Sequence, residues 1–254
     1  MRVPLYFLHI PKAGGSTIRV KLRELFGEAL CPALVWDDFY TRPEWREPRF
    51  AAYCGHFGSD LPSFLGRPLA AFTLLRDPVA RTVSHYHEIR RSPGHPLHGV
   101  AARLDLWHYL HSPLTVPLVW NLQARYLAGP PALFGHLSLL FPPGPRYGLM
   151  AGWEMGGCRT APELLWHAAR RALDGLDFVA TTEGLDAALP EMNRRYGLSA
   201  EPLRENVGDH HGLEPPDERT VERIRALTEV DRMLVDLVSG SGRLPDPKPR
   251  RRAA

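Results

Sequence analysis

Leu5-Tyr6-Phe7-Leu8-His9-Ile10-Pro11-Lys12-Ala13-Gly14-Gly15-Ser16-Thr17 stands near the start of the chain. The apolar run Leu5–Ile10 predicts a short buried strand. Pro11 to Gly15 breaks it. From Ser16 a helix is expected, because Ile18, Leu22, Leu25 and Phe26 recur at i, i+4, i+7 and i+8. Ser16 or Thr17 supplies the oxygen that helix starts prefer, and Gly27 is a plausible stop. Two adjacent glycines let backbone N–H groups approach a ligand closely. A helix start adds free donors and partial positive charge, so an anion is expected there. Lys12 adds a full charge at the mouth.

Phe50–Cys54, Leu69–Leu75 and Phe178–Thr181 are further strand candidates. Pro78 opens a helix that carries Val79, Val83, Tyr86 and Ile89 on one face. Residues 92–160 differ in texture, with recurrent Pro and Gly and short helical pieces at 100–111 and 116–127, so they read as an insertion or cap. Helices follow at 161–173, 185–196 and 217–238. The predicted class is α/β, a parallel sheet flanked by helices. Residues 1–239 form one domain in this reading, and 240–254 form a basic, disordered tail. Ligands of such sheets sit outside the carboxyl ends of the strands. Three breaks fall at strand ends: Pro11–Thr17, Gly55-His56 and Arg76–Pro78.

The bulk composition bounds the function. With 254 residues, 44% hydrophobic and 23% charged, the chain can bury a sizeable core and is not globally disordered. A net charge of +3 is too small to imply a nucleic-acid partner. Lysine occurs only at 12, 21 and 248, so Lys12 stands out within its loop. Three cysteines (31, 54, 158) without a CxxC pair indicate neither a disulfide framework nor a zinc site. No segment reads as a membrane span or a signal peptide, so a cytoplasmic protein is expected. His95, His98, His108 and His111 lack a completing carboxylate or cysteine, so no metal is expected.

The loop admits three readings. It could be a tight turn without a ligand. A nucleoside triphosphatase loop needs Lys directly after the last glycine, and here Lys12 precedes Gly14 and Gly15. The third reading is a phosphate loop of another order. A second segment, Phe72-Thr73-Leu74-Leu75-Arg76-Asp77-Pro78-Val79-Ala80-Arg81-Thr82-Val83-Ser84, brings Arg76 to a strand end and Ser84 to the next helix. Together they could fork a phosphate. Alternatively Arg76 and Asp77 cap locally, or Asp77 is a metal-binding acid after a strand. A third segment, Tyr53-Cys54-Gly55-His56, offers a histidine at a strand end; near its ordinary pKa of about 6.5 it suits a general base. Glu88, His85 and His87 compete for that role.

The order Pro-Lys-x-Gly-Gly-Ser-Thr resembles the 5′-phosphosulfate loop of sulfotransferases that use 3′-phosphoadenosine-5′-phosphosulfate (PAPS). It is most similar to the branch of the heparan sulfate 2-O- and 6-O-sulfotransferases, where His-Ile-Pro-Lys-x-Gly-Gly is typical. The Arg76–Ser84 segment resembles that family's 3′-phosphate signature. Asn121-Leu122-Gln123-Ala124-Arg125, Phe178–Glu183 and Arg204–Gly208 resemble further segments of the branch. The resemblance implies a nucleotide-kinase-like fold and transfer of a sulfuryl group to a hydroxyl or amine of a small-molecule or glycan acceptor. It assigns Lys12, Ala13, Gly14, Gly15, Ser16 and Thr17 to the 5′-phosphosulfate, Arg76 and Ser84 to the 3′-phosphate, and His56 and Lys12 to catalysis. No metal is needed by that chemistry. A kinase or NTPase, and a nucleotide-binding module without catalysis, remain the alternatives. Trp107, Tyr109 and Trp120 in the insertion are either core or walls of the acceptor pocket.

Overall fold

The computed structural model describes residues 3–129, 160–199 and 215–240. The strands are β1 (Leu5–Leu8), β2 (Ala52–Gly55), β3 (Ala70–Leu75) and β4 (Phe178–Thr181), in one wholly parallel sheet of order β2-β1-β3-β4. Register sets Leu8 opposite Gly55 on one side and Thr73 on the other. The α/β class expected from the sequence is therefore present, and all four strands fall on the apolar runs that predicted them.

Strand alternation divides the core. Leu5, Phe7, Ala52, Cys54, Phe72 and Leu74 face one side, where helix α1 (Gly15–Phe26) packs through Ile18 and Leu22. Tyr6, Leu8, Tyr53 and Val179 face the other. That face is covered by α2 (Trp36–Thr41), α3 (Leu61–Leu65) and the later helices described below. Neither α2 nor α3 was foreseen. Both are too short to show a helical period, and Asp38 holds α2 by accepting from the backbone N–H of Leu34 (2.7 Å) and Val35 (3.1 Å).

After β3 comes α4 (Pro78–Arg91), whose Asp77 side chain accepts from the Ala80 N–H at 2.8 Å as an N-cap. The described part of the insertion folds into α5 (His98–Ala101), α6 (Leu106–Tyr109) and α7 (Leu122–Ala128). It buries Ala101, Tyr109, Leu110 and Leu118 against Tyr86 and Ile89 of α4. Tyr109 is thus core, Trp120 bridges two cores, and Trp107 lies under the Arg219 guanidinium 3.7 Å from its ring centre. The remaining helices are α8 (Pro162–Gly175), α9 (Leu185–Tyr196), α10 (Glu218–Leu227) and α11 (Glu229–Gly240). The single helix expected at 217–238 is two helices, broken at Thr228, and Gly240 is still helical. Residues 241–254, 130–159 and Arg204–Gly208 lie outside the described residues. Among the described residues no helix is long and apolar enough to cross a membrane.

Candidate functional site

The strand order explains where a ligand would go. β1 has β2 on one side and β3 on the other, so the chain leaves it in opposite directions and opens a crevice at its carboxyl end. The three sequence breaks all reach that crevice: the loop after Leu8, Gly55-His56 after β2, and Arg76 after β3.

The loop is shaped by backbone conformation. Lys12 (φ 66°) and Gly14 (φ 76°) are both left-handed. For lysine this conformation is uncommon and costs energy that surrounding contacts must supply. Arg76 supplies one, its Nη1 donating to the Lys12 carbonyl at 3.0 Å. α1 begins at Gly15 with no side-chain cap on Gly14 and no acidic residue in its first turn. The first-turn N–H groups lack helical partners there. Gly15 is required by a neighbour rather than by conformation: a Cβ placed on it would lie 1.7 Å from Nε2 of His9. Within this turn Ser16 is exposed, whereas Ala13 and Thr17 are buried.

Lys12 is held at both ends. Its Nζ pairs with Glu88 Oε2 of α4 at 2.8 Å. Ser84 sits four residues before Glu88, hence on the same face of α4. Arg76 is fixed in turn by Gln123 of α7. The Gln123 side chain accepts from the Arg76 N–H at 2.9 Å and donates to its carbonyl at 2.8 Å. Glu183 accepts from the Asp77 N–H at 3.1 Å. Lys12 is thus tied to Arg76 through its carbonyl and to α4 through Glu88, while Ser84, one turn before Glu88, is buried at 5% exposure. Sequence reading left Gln123 and Glu183 without roles and treated Glu88 as a possible base. Their partners lie 47, 106 and 76 residues away. No local pattern encodes such contacts.

His56 Nδ1 lies 2.8 Å from the His9 carbonyl. A carbonyl only accepts, so Nδ1 carries the proton and Nε2 is the basic nitrogen. The two imidazole rings lie 4.3 Å apart. The expectation of an ordinary histidine near 6.5 is corrected here. Burial pulls His56 down to about 4, the His9 carbonyl opposes this, and the charges of Arg19 and Lys12 add to the fall. His9 is lowered well below its ordinary value by burial, and then by His56.

Comparison with known protein families finds no match, and no curated protein matches the chain. Local contacts thin the field of candidate bases. His85 is enclosed with Nδ1 3.4 Å from Arg81 and is lowered well below its usual pKa, chiefly by burial. Glu88 is engaged by Lys12, and His87 lies against Tyr86 with ring centres 5.0 Å apart. Of the four insertion histidines, His98 contacts the Ile89 carbonyl, His108 pairs with Asp105, His111 contacts the Trp107 carbonyl, and His95 Nδ1 accepts from the Leu97 N–H. No group of three His, Cys, Asp or Glu side chains able to hold a metal occurs among the described residues.

Proposed function

We propose that this protein is a sulfotransferase of the PAPS-dependent, nucleotide-kinase-like type. The observation that carries the reading is the uncapped, left-handed entry to α1, with Lys12 and Arg76 converging on it from either side. Backbone amides of Gly14 and Gly15, with the first-turn donors of Ser16 and Thr17, hold the 5′-phosphosulfate, while the Ala13 N–H closes the turn onto the Ile10 carbonyl at 3.2 Å. Arg76 and Ser84 take the 3′-phosphate. The acceptor oxygen or nitrogen attacks sulfur in line with the bridging oxygen. Its bond to sulfur forms as the sulfur–bridging oxygen bond breaks. The acceptor proton passes to Nε2 of His56, and the electron pair of the broken bond stays with the departing 3′-phosphoadenosine-5′-phosphate (PAP). Lys12 leaves Glu88 and neutralises that oxygen. The acceptor is a hydroxyl or amine compound, a small molecule or a glycan.

The test is a comparison of PAP with AMP, which lacks the 3′-phosphate. A hydrogen bond to a charged group contributes roughly 1.5–3 kcal/mol, equivalent to about 10- to 150-fold in affinity. Wild type should bind PAP tighter than AMP by that order without magnesium. Arg76→Ala should weaken PAP and hardly touch AMP, as calorimetry on the four pairs would show. Equal loss for both nucleotides would mean that Arg76 serves only to hold the Lys12 carbonyl. Equal affinity of wild type for both would return a kinase or NTPase to first place.

A second expectation concerns Glu88. Its pair with Lys12 is partly exposed, so it adds little to stability. The carboxylate also competes with any anion for Lys12. Glu88→Gln should therefore leave the melting temperature within a few degrees and tighten PAP binding by about 2- to 10-fold. Weaker PAP binding in Glu88→Gln would show that Glu88 positions Lys12 for the ligand.

A further inference from the structure

An open cavity of about 670 Å³ lies against α1, reaching from Arg19, whose charge is felt at His56, to the Gly27 end. Its walls are α1, the turn after Gly27, and Arg49 and Phe50, which lead into β2. Gly27 is twelve residues along from Gly15, about 18 Å at 1.5 Å per residue. The cavity thus faces the amino ends of the strands, whereas the phosphate loop faces their carboxyl ends.

Three arginines line it, Arg19, Arg23 and Arg49, against one carboxylate, Glu28. None of the three forms an ion pair with a carboxylate among the described residues. Arg19 and Arg23 are four residues apart on α1, a spacing at which like charges repel. Arg19 is partly buried; burial lowers its pKa, and Arg23 adds to the fall. Asp38, a carboxylate that attracts it, already accepts from the Leu34 and Val35 N–H groups. Ordinary structural roles account for part of the set. Arg23, in the last turn of α1, complements the helix dipole, and Arg49 stacks 4.9 Å from the Phe50 ring centre. Neither role explains why a half-buried cation stands beside a second on α1 and shares one cavity with a third.

We propose that this cavity binds an organic ligand carrying two or more phosphate- or sulfate-type charges. Guanidinium forks match such oxyanions in bidentate fashion. Three cations less one carboxylate leave two positive charges to be met. The volume lies in the range of small-molecule sites and exceeds what one tetrahedral anion needs. Leu30 and Phe50 offer an apolar wall to the remainder of the molecule.

The test uses inorganic pyrophosphate as the probe, by calorimetry at low ionic strength, on three proteins: wild type, Arg23→Gln/Arg49→Gln and Lys12→Ala/Arg76→Ala. Arg23 and Arg49 are exposed, so their replacement leaves the core intact. The first double variant should bind pyrophosphate at the cavity about 100-fold more weakly, because two charge-assisted partners are gone. The second should keep the cavity binding and lose only what the phosphate loop contributes. Arg23→Lys/Arg49→Lys, which keeps charge without the fork, should fall between. Pyrophosphate binding that is unchanged in Arg23→Gln/Arg49→Gln overturns the proposal. Because the two variants report on separate places, failure of the sulfotransferase reading and failure of this one give different results.

Discussion

His56→Ala should lose about 10²- to 10⁴-fold in turnover, the range for a missing general base, while PAP affinity stays near that of wild type. The split is expected because Nδ1 is committed to the His9 carbonyl and Nε2 is left for the acceptor proton. The pH profile should follow from the lowered pKa. With His56 at about 4 in the free protein, the imidazole is neutral and competent throughout the physiological range. The rate should stay level as pH falls from 8 to about 6 and decline only toward pH 4. A bound phosphosulfate brings negative charge close to the ring and favours its protonated form. The acid limb of kcat should therefore lie at higher pH than that of kcat/KM, since kcat reports the complex and kcat/KM the free enzyme. Turnover of His56→Ala within threefold of wild type would remove His56 from the mechanism.

The four strands, the loop and the helices that flank it were legible because each carries its own signal: an apolar run, a glycine pair, or a helical period. Their meeting at one crevice followed from the rule for parallel sheets, and the order β2-β1-β3 places β1 at its centre. What could not be read is the set of contacts that make the loop rigid. Gly15 is needed because His9 fills the space beside it, yet nothing in Gly14-Gly15 points to position 9. The pKa of His56 was misjudged for the same reason. Enclosure beside a second imidazole and the Tyr126 ring is a tertiary fact. The break at Thr228 did have a signal, which the apolar period from Val221 to Val238 outweighed. Thr228-Glu229-Val230-Asp231 carries the S/T-x-x-D/E pattern of a helix start.

That start leads to the second large effect. Asp231, fully buried, accepts from the N–H of Ala124 (2.7 Å) and Gln123 (3.2 Å) at the start of α7. Asn121 returns the contact, its Oδ1 accepting from the N–H of Val230 (2.9 Å) and Asp231 (3.3 Å). The two helix starts cap one another. The buried Arg81 guanidinium adds charge attraction to Asp231. Asp231→Ala should cost about 3–5 kcal/mol, because it orphans two buried N–H groups, each at about 1–3 kcal/mol, and removes the attraction to Arg81. At 2–4 °C per kcal/mol that is a melting-point drop of roughly 6–20 °C. The pH dependence has a definite sign. Burial pushes the Asp231 carboxyl up to about 6 from 3.8, against the pull of Arg81 and of the two N–H donors. Between about pH 4 and 6 the folded state then holds a proton that the unfolded state has lost, so this group's contribution to stability falls as pH rises through that window. The fall amounts to roughly 3 kcal/mol at 1.36 kcal/mol per unit, and Asp231→Asn should lack it. Urea unfolding of wild type and Asp231→Asn at pH 4, 5, 6 and 7 isolates the difference. The consequence reaches the crevice, because Gln123, whose N–H Asp231 holds, clamps the backbone of Arg76. In folded Asp231→Ala, PAP binding should weaken along with stability. A variant that melts within 2 °C of wild type and binds PAP equally well would show that α7 stands without this cap.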